Sequence, residues 1–143
     1  MNEKAALLLM SHGDFAKELI KSAELIVGKQ DNFETLGVHL DDQIDDLKAK
    51  MFTKIDTLNT ENGLIVFTDI IGGSPMNLAG YLLERDNILI CSGMNLPILL
   101  ECLLNRDKPM DELENKIRTA YIDGMTIRRG LELSEEDEDD LLL

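Results

Sequence analysis

Apolar positions along the chain fall into short continuous runs separated by stretches of helical spacing. Ala5 to Met10 is an unbroken apolar run ended by the turn-like Ser11-His12-Gly13. It reads as a strand covered on both faces. Phe15, Leu19, Ala23, Ile26 and Val27 then recur at helical spacing and predict a helix, which Gly28 closes. Thr35 to Leu40 predicts a second strand, with Asp41 or Asp42 as cap of a helix carrying Ile44, Leu47, Met51, Ile55 and Leu58. After the break at Asn62-Gly63, the apolar, β-branched run Leu64 to Thr68 is the clearest strand. It leads into Asp69-Ile70-Ile71-Gly72-Gly73-Ser74-Pro75, where Ser74 predicts an N-cap and Pro75 a first helical residue. That helix would turn Leu78, Ala79, Leu82 and Leu83 inward. Asn87 to Cys91 predicts a fourth strand. One helix follows from Leu96 or Pro97 to Leu104, and another starts near Met110 with Leu113, Ile117, Ala120 and Tyr121 on its face. Thr126 to Leu133 is a candidate fifth strand.

Strands alternating with helices predict one α/β domain: an open, mainly parallel sheet with helices on both faces. Sites in such sheets form beyond the carboxyl ends of the strands. The polar residues at those ends are Ser11 and His12, then His39, then Asp69 to Ser74, then Ser92 to Asn95. The length of 143 residues fits one domain, and 44% apolar with 29% charged residues excludes a disordered chain. With 4% aromatics and no Trp, the core must be aliphatic. The net charge of −14 disfavours nucleic acid and anionic membrane surfaces as partners. The acidic run Glu135 to Asp140 reads as a solvated tail. Cys91 and Cys102 form no CxxC pair and read as reduced intracellular thiols. The N-terminal apolar run is too short for a signal peptide, and no run approaches the roughly 20 residues of a bilayer span. A cytoplasmic location is expected.

The candidate chemistry is sparse. His12, followed by Gly13 at the sheet edge, is either an accessible nucleophile or a turn-filling imidazole. Asp69 either caps local amides or accepts a hydrogen bond from His12, which would select its tautomer and support a positive ring. Gly72-Gly73-Ser74-Pro75 is either an ordinary tight turn or an anion cradle at a helix N-terminus. It is neither a P-loop nor a dinucleotide fingerprint. His39 either joins the site or is a strand-end residue. Two histidines without HExxH or a cysteine partner make a poor metal site, and no Gly-x-Ser-x-Gly elbow surrounds Ser11.

Three segments in register at strand ends carry a resemblance: Ser11-His12-Gly13, Asp69-Ile70-Ile71-Gly72-Gly73-Ser74-Pro75 and Gly93-Met94-Asn95-Leu96-Pro97. Together they resemble the IIA domain of mannose-family sugar phosphotransferase systems (mannose, fructose and sorbose types) over roughly residues 3 to 125. The resemblance implies phosphorylation on His12, orientation of its ring by Asp69, and a phosphoryl group lying beside Gly72, Gly73 and Ser74. It implies strand order 2-1-3-4 and a homodimer in which an antiparallel strand, here Thr126 to Leu133, is exchanged. Ile71 stands where some members carry an aromatic residue. The domain would span 1–133, with 134–143 an acidic tail. The implied partners are the histidine phosphocarrier protein, the IIB component and, indirectly, the membrane IIC and IID components, with no nucleic acid. No cofactor is expected, neither ATP nor metal, because phosphohistidine is itself a high-energy donor. Two alternatives stand beside this: the phosphotransfer subunit of a dihydroxyacetone kinase, and a non-catalytic anion-binding module.

Overall fold

The computed structural model describes residues 3–130. Four strands, β1 (Ala6–His12), β2 (Phe33–Val38), β3 (Leu64–Thr68) and β4 (Ile88–Ser92), form one parallel sheet in the order β2-β1-β3-β4. Five helices connect or follow them: α1 (Phe15–Val27), α2 (Ile44–Asp56), α3 (Gly73–Gly80), α4 (Leu96–Leu104) and α5 (Met110–Asp123). The expected fold class and strand order are therefore observed.

The continuous apolar runs follow from burial on both faces. Leu7 and Leu9 of β1 pack with α1, α4 and α5, whereas Ala6, Leu8 and Met10 pack with α2 and α3. Neither face of β1 meets water, so alternation disappears from its sequence. Each fully buried Leu, Ile or Phe in these two layers contributes roughly 1.5–3 kcal/mol.

The predicted inward faces of α2, α3 and α5 hold at Leu47, Met51, Ile55, Leu78, Ala79, Leu82, Leu113 and Ile117, whereas that of α1 is rotated by one position. In α1 the buried residues are Ala16, Ile20 and Ala23, while Phe15 and Ile26 are exposed. Small alanines let this helix approach β1 and β2, so the stripe rotates toward them. Ile44 on α2, Leu83 after α3 and Tyr121 on α5 are likewise exposed. The second strand runs from Phe33 to Val38 rather than from Thr35 to Leu40. Leu40 lies in the following turn, and the N-cap position of α2 falls on Gln43, whose side chain makes no capping hydrogen bond, rather than on Asp41 or Asp42. The Asp42 carboxylate instead accepts the His39 backbone N–H at 2.7 Å. Residues 125–129 are irregular within this chain, and 131–133, like the acidic run from Glu135 to Asp140, lie outside the described residues.

Arg106 was not signalled by any sequence pattern. It is 2% exposed and clamps the amino edge of the sheet. Its Nε and Nη2 donate to the Ala5 carbonyl at 3.1 and 2.9 Å, and Nη1 and Nη2 reach the carbonyls of Asp31 and Asn32 at 2.9 and 2.8 Å. A planar fork satisfies several carbonyls at once, as no other side chain does. This end of the sheet is thereby closed, opposite the polar strand ends.

Candidate functional site

The register decides where the strand ends meet. Met10 pairs with Thr68, so β1 runs two residues past the end of β3. His12, the last residue of β1, therefore stands over the loop that begins at Asp69. The Asp69 Oδ2 atom accepts two bonds from His12, one from its backbone N–H at 2.9 Å and one at the ring Nδ1 at 2.9 Å. Its Oδ1 accepts the Ile70 N–H at 3.1 Å. The two-point contact on His12 fixes the ring's position and direction together. With Nδ1 as the donor to a carboxylate, Nε2 is left with a free lone pair.

Nε2 faces the start of α3. A Cβ built on Gly73 would lie 3.3 Å from Nε2 and 3.1 Å from Cε1, so the backbone approaches the ring where only hydrogen fits. Gly72 (φ 82°, ψ 178°) and Gly73 (φ 80°) hold conformations that side chains disfavour. The N-terminal end of α3, electropositive through its unpaired N–H groups, thus abuts the free imidazole nitrogen. Gly72, not Ser74, is the N-cap, because the helix begins at Gly73; Ser74 and Pro75 lie within its first turn. The Gly72 N–H itself donates to Met76 Sδ at 2.8 Å.

Supporting contacts hold these loops. Ser11 is fully buried; its hydroxyl accepts the Ala16 N–H at 2.8 Å and donates to the Gly13 carbonyl at 3.2 Å. It anchors the turn after His12 and has no exposed nucleophile to offer. Thr68, also buried, donates to Ser92 Oγ at 2.7 Å, and its carbonyl accepts the N–H groups of Gly93 and Met94 at 3.0 Å. Thr68 was missed because a Thr ending a β-branched strand reads as part of the strand. Asn95 caps α4 by accepting the Ile98 N–H at 3.0 Å. His39 is not part of the His12–Asp69 pair; its Nε2 lies 3.2 Å from Asp14 Oδ1.

Burial pushes the Asp69 carboxyl up, but the bonds from the His12 backbone and ring, the ring's charge and the Ile70 N–H outweigh it. Its pKa is held below the ordinary carboxylate value. Asp69 is thus an anion throughout the neutral range, and it faces a ring that is half-exposed to solvent. A positive imidazole formed by a bond at Nε2 would keep its Nδ1 proton against this carboxylate. Cys102 is buried, which pushes its thiol up to about 12 and makes it inert. Among the described residues no cluster of His, Cys, Asp and Glu has the geometry of a metal site, and no helix is long and apolar enough to cross a membrane.

The chain's sequence and fold are shared with known proteins. The EIIA-man family model, "PTS system fructose IIA component", matches residues 6–118. The chain is 30% identical over 103 residues to the mannose-specific EIIAB component of Escherichia coli, covering 71% of this chain and 32% of that protein. It therefore spans about a third of that relative's length. It is also 30% identical over 103 residues to the fructose-specific EIIA component of Bacillus subtilis, covering 71% of this chain and 70% of that one. The crystal structure of the PTS IIA protein associated with the fucose utilization operon from Streptococcus pneumoniae matches with a TM-score of 0.75 and 30% identity, over 87% of this chain and 93% of that one. The mannose/sorbose specific IIA subunit from Enterococcus faecalis matches with a TM-score of 0.77 and 25% identity, over 92% and 99%.

Proposed function

Since the chain belongs to the EIIA-man family of sugar phosphotransferase system IIA components, we propose that it is a phosphoryl carrier that works through His12. The observation that carries this is the double contact of Asp69 on His12, which leaves Nε2 free against the Gly73 backbone. The donor is the phosphorylated histidine phosphocarrier protein. The Nε2 lone pair attacks phosphorus in line; the new N–P bond forms as the donor's N–P bond breaks, and the electron pair returns to the donor imidazole. Asp69 holds the Nδ1 proton and balances the charge that grows on the ring. Backbone N–H groups at Gly73 and Ser74 and the turn at Gly72 cradle the phosphoryl oxygens. The same steps in reverse pass the group to the IIB component, and on to a sugar entering through the IIC and IID components. Neither ATP nor a metal takes part, and the site works on the cytoplasmic side.

The acting unit is a homodimer, with residues 1–133 as the domain and 134–143 as a solvated acidic tail. The support is a groove of about 790 Å³ along the outer edge of β4, lined by Ile71, Leu89, Cys91, Ile117, Tyr121 and Ile122. Among the described residues no strand pairs with that edge. Tyr121, Ile122, Met125 and Ile127, from the end of α5 onward, are 61–80% exposed, and an unpaired edge beside such a stretch favours a second chain. The exchanged segment is Thr126 to Leu133.

Incubation with phosphoenolpyruvate, the general phosphotransferase enzyme and the phosphocarrier protein tests the assignment. The wild type gains an acid-labile phosphate, His12→Ala gains none, and His39→Ala still gains it. Label that survives His12→Ala, or that resists mild acid as a phosphoserine would, refutes it. Absence of any label would favour the anion-binding module.

A further inference from the structure

The two glycines that meet His12 end a loop with little packing to hold it. Between Asp69 and α3, Ile70 is 55% exposed and Ile71 79% exposed. Gly72 and Gly73 both have positive φ, and neither carries a side chain that could lock the turn. At its start the loop is tied by the Ile70 N–H on Asp69 Oδ1 at 3.1 Å and by Thr68 Oγ1, 3.4 Å from the Ile70 carbonyl. At its end the Gly72 N–H donates to the Met76 thioether, with nitrogen and sulfur 2.8 Å apart. That bond lies one residue before the Gly73 backbone that abuts His12 Nε2 and Cε1.

The start of α3 explains why a methionine makes this contact. In a capping box, the side chain of the third helical residue reaches back to the N-cap amide. Here Gly72 is the N-cap and the third residue is Pro75, whose side chain has no polar atom. Met76 comes next, and helical side chains lean toward the N-terminus, over the preceding turn. The core does not call for it: the buried residues of α3 are Pro75, Leu78 and Ala79, whereas Met76 is 38% exposed. A carboxylate in its place would bind the amide more strongly, but it would add a negative charge to a helix start that has to admit a phosphoryl group. A thioether accepts the same N–H without charge.

We propose that Met76 is a positioning residue for phosphoryl transfer at His12: its sulfur holds the Gly72 N–H and so keeps the Gly73 backbone seated against the imidazole. This rests on the phosphoryl-carrier function proposed above. Met76 acts through the turn and does not touch the reacting atoms. With the Gly72 N–H engaged by sulfur, the N–H groups of Gly73 and Ser74 are the ones that receive the phosphoryl oxygens.

Met76→Leu keeps the volume and apolar character but removes the acceptor, and Met76→Gln restores an acceptor on an unbranched stem. Wild type and both variants are compared, with thermal midpoints alongside. Amide hydrogen exchange by NMR reports the Gly72 N–H. Single-turnover labelling of His12 over a range of phosphorylated phosphocarrier protein separates the maximal rate from the half-saturating concentration. Phosphoramidate reports the chemistry without a docking partner: the His12 Nε2–P bond forms, the P–N bond of phosphoramidate breaks, and ammonia leaves with the bonding pair. Met76→Leu is expected to speed exchange at Gly72 and to lower both the maximal rate and the phosphoramidate rate about 2- to 10-fold, the size of one neutral hydrogen bond. Its half-saturating concentration and Tm should stay at the wild-type values, and Met76→Gln should recover most of both rates. The proposal is overturned by unchanged rates in Met76→Leu, by a change in half-saturation alone, which would make Met76 a docking contact, or by Met76→Gln as slow as Met76→Leu. If the wild type takes no phosphate from the phosphocarrier protein while the phosphoramidate pattern holds, the carrier function is wrong and the hold of Met76 on the turn stands.

Discussion

Replacing Gly73 by Ala tests whether the close approach of backbone to imidazole matters for chemistry. The new Cβ would lie 3.3 Å from Nε2 and 3.1 Å from Cε1, closer than side chains ordinarily pack. The ring has little room to retreat, because Asp69 holds Nδ1 and the His12 N–H at 2.9 Å each. The methyl therefore crowds the volume that a phosphoryl group on Nε2 requires. A loss of about 100-fold or more in transfer rate is expected, roughly 2.7 kcal/mol on the barrier. Backbone strain has to be separated from this crowding. At φ 80° an alanine costs about 1–2 kcal/mol of stability. Gly72→Ala supplies the control: at φ 82° and ψ 178° it costs of order 1–3 kcal/mol, yet its Cβ meets nothing within 4 Å. Both variants should lose roughly 3–6 °C of Tm per kcal/mol. Only Gly73→Ala should lose most of its transfer rate, and Gly72→Ala should remain at least about tenfold faster than it. Thermal unfolding and rapid-quench transfer from the phosphorylated phosphocarrier protein measure the two effects. Gly73→Ala at the wild-type rate, or Gly72→Ala as slow as Gly73→Ala, would refute the reasoning.

Asp69→Asn keeps the shape of the clamp but not its charge, and transfer should fall about 10- to 100-fold while the acid-labile label still forms slowly. The folded-state pKa of Asp69 lies below its unfolded value of 3.8, so its stabilisation is present above about pH 4 and lost as pH falls through the folded pKa. Urea melts should show Asp69→Asn less stable than wild type at pH 7, with the gap narrowing as the pH falls below about 4; a gap that widens in acid would contradict this. Arg106→Met leaves the buried carbonyl of Ala5 without its guanidinium donors and should cost about 3 kcal/mol in urea unfolding. Arg106→Lys should recover only part of that, because a single ammonium cannot span the Ala5, Asp31 and Asn32 carbonyls. Sedimentation at micromolar concentration should show a dimer, Ile122→Asp should shift it to monomer, and removal of residues 134–143 should leave it intact. A monomeric wild type would sink the dimer proposal.

The sequence alone determined the fold class, because continuous apolar strands can be buried only in a parallel sheet covered on both faces. It also placed the polar residues at strand ends, where local breaks at Gly13, Asp69 and Gly72 were legible as turns. It put His12 and Asp69 side by side from their shared position at strand ends, but left open whether Asp69 bonds His12 or only caps local amides; the bond depends on β1 running two residues past β3, a register that pairing energies across the whole sheet decide. It said nothing about which imidazole nitrogen is free; the geometry answers Nε2, because Asp69 occupies Nδ1 and Gly73 abuts the other side. Helix faces were misjudged at Phe15, Ile26, Leu83 and Tyr121 because their periodicity admits two neighbouring stripes, and only packing partners choose between them. Arg106 was invisible for a related reason. Its ligands are backbone carbonyls, every residue carries one, and only tertiary structure brings three of them around one guanidinium.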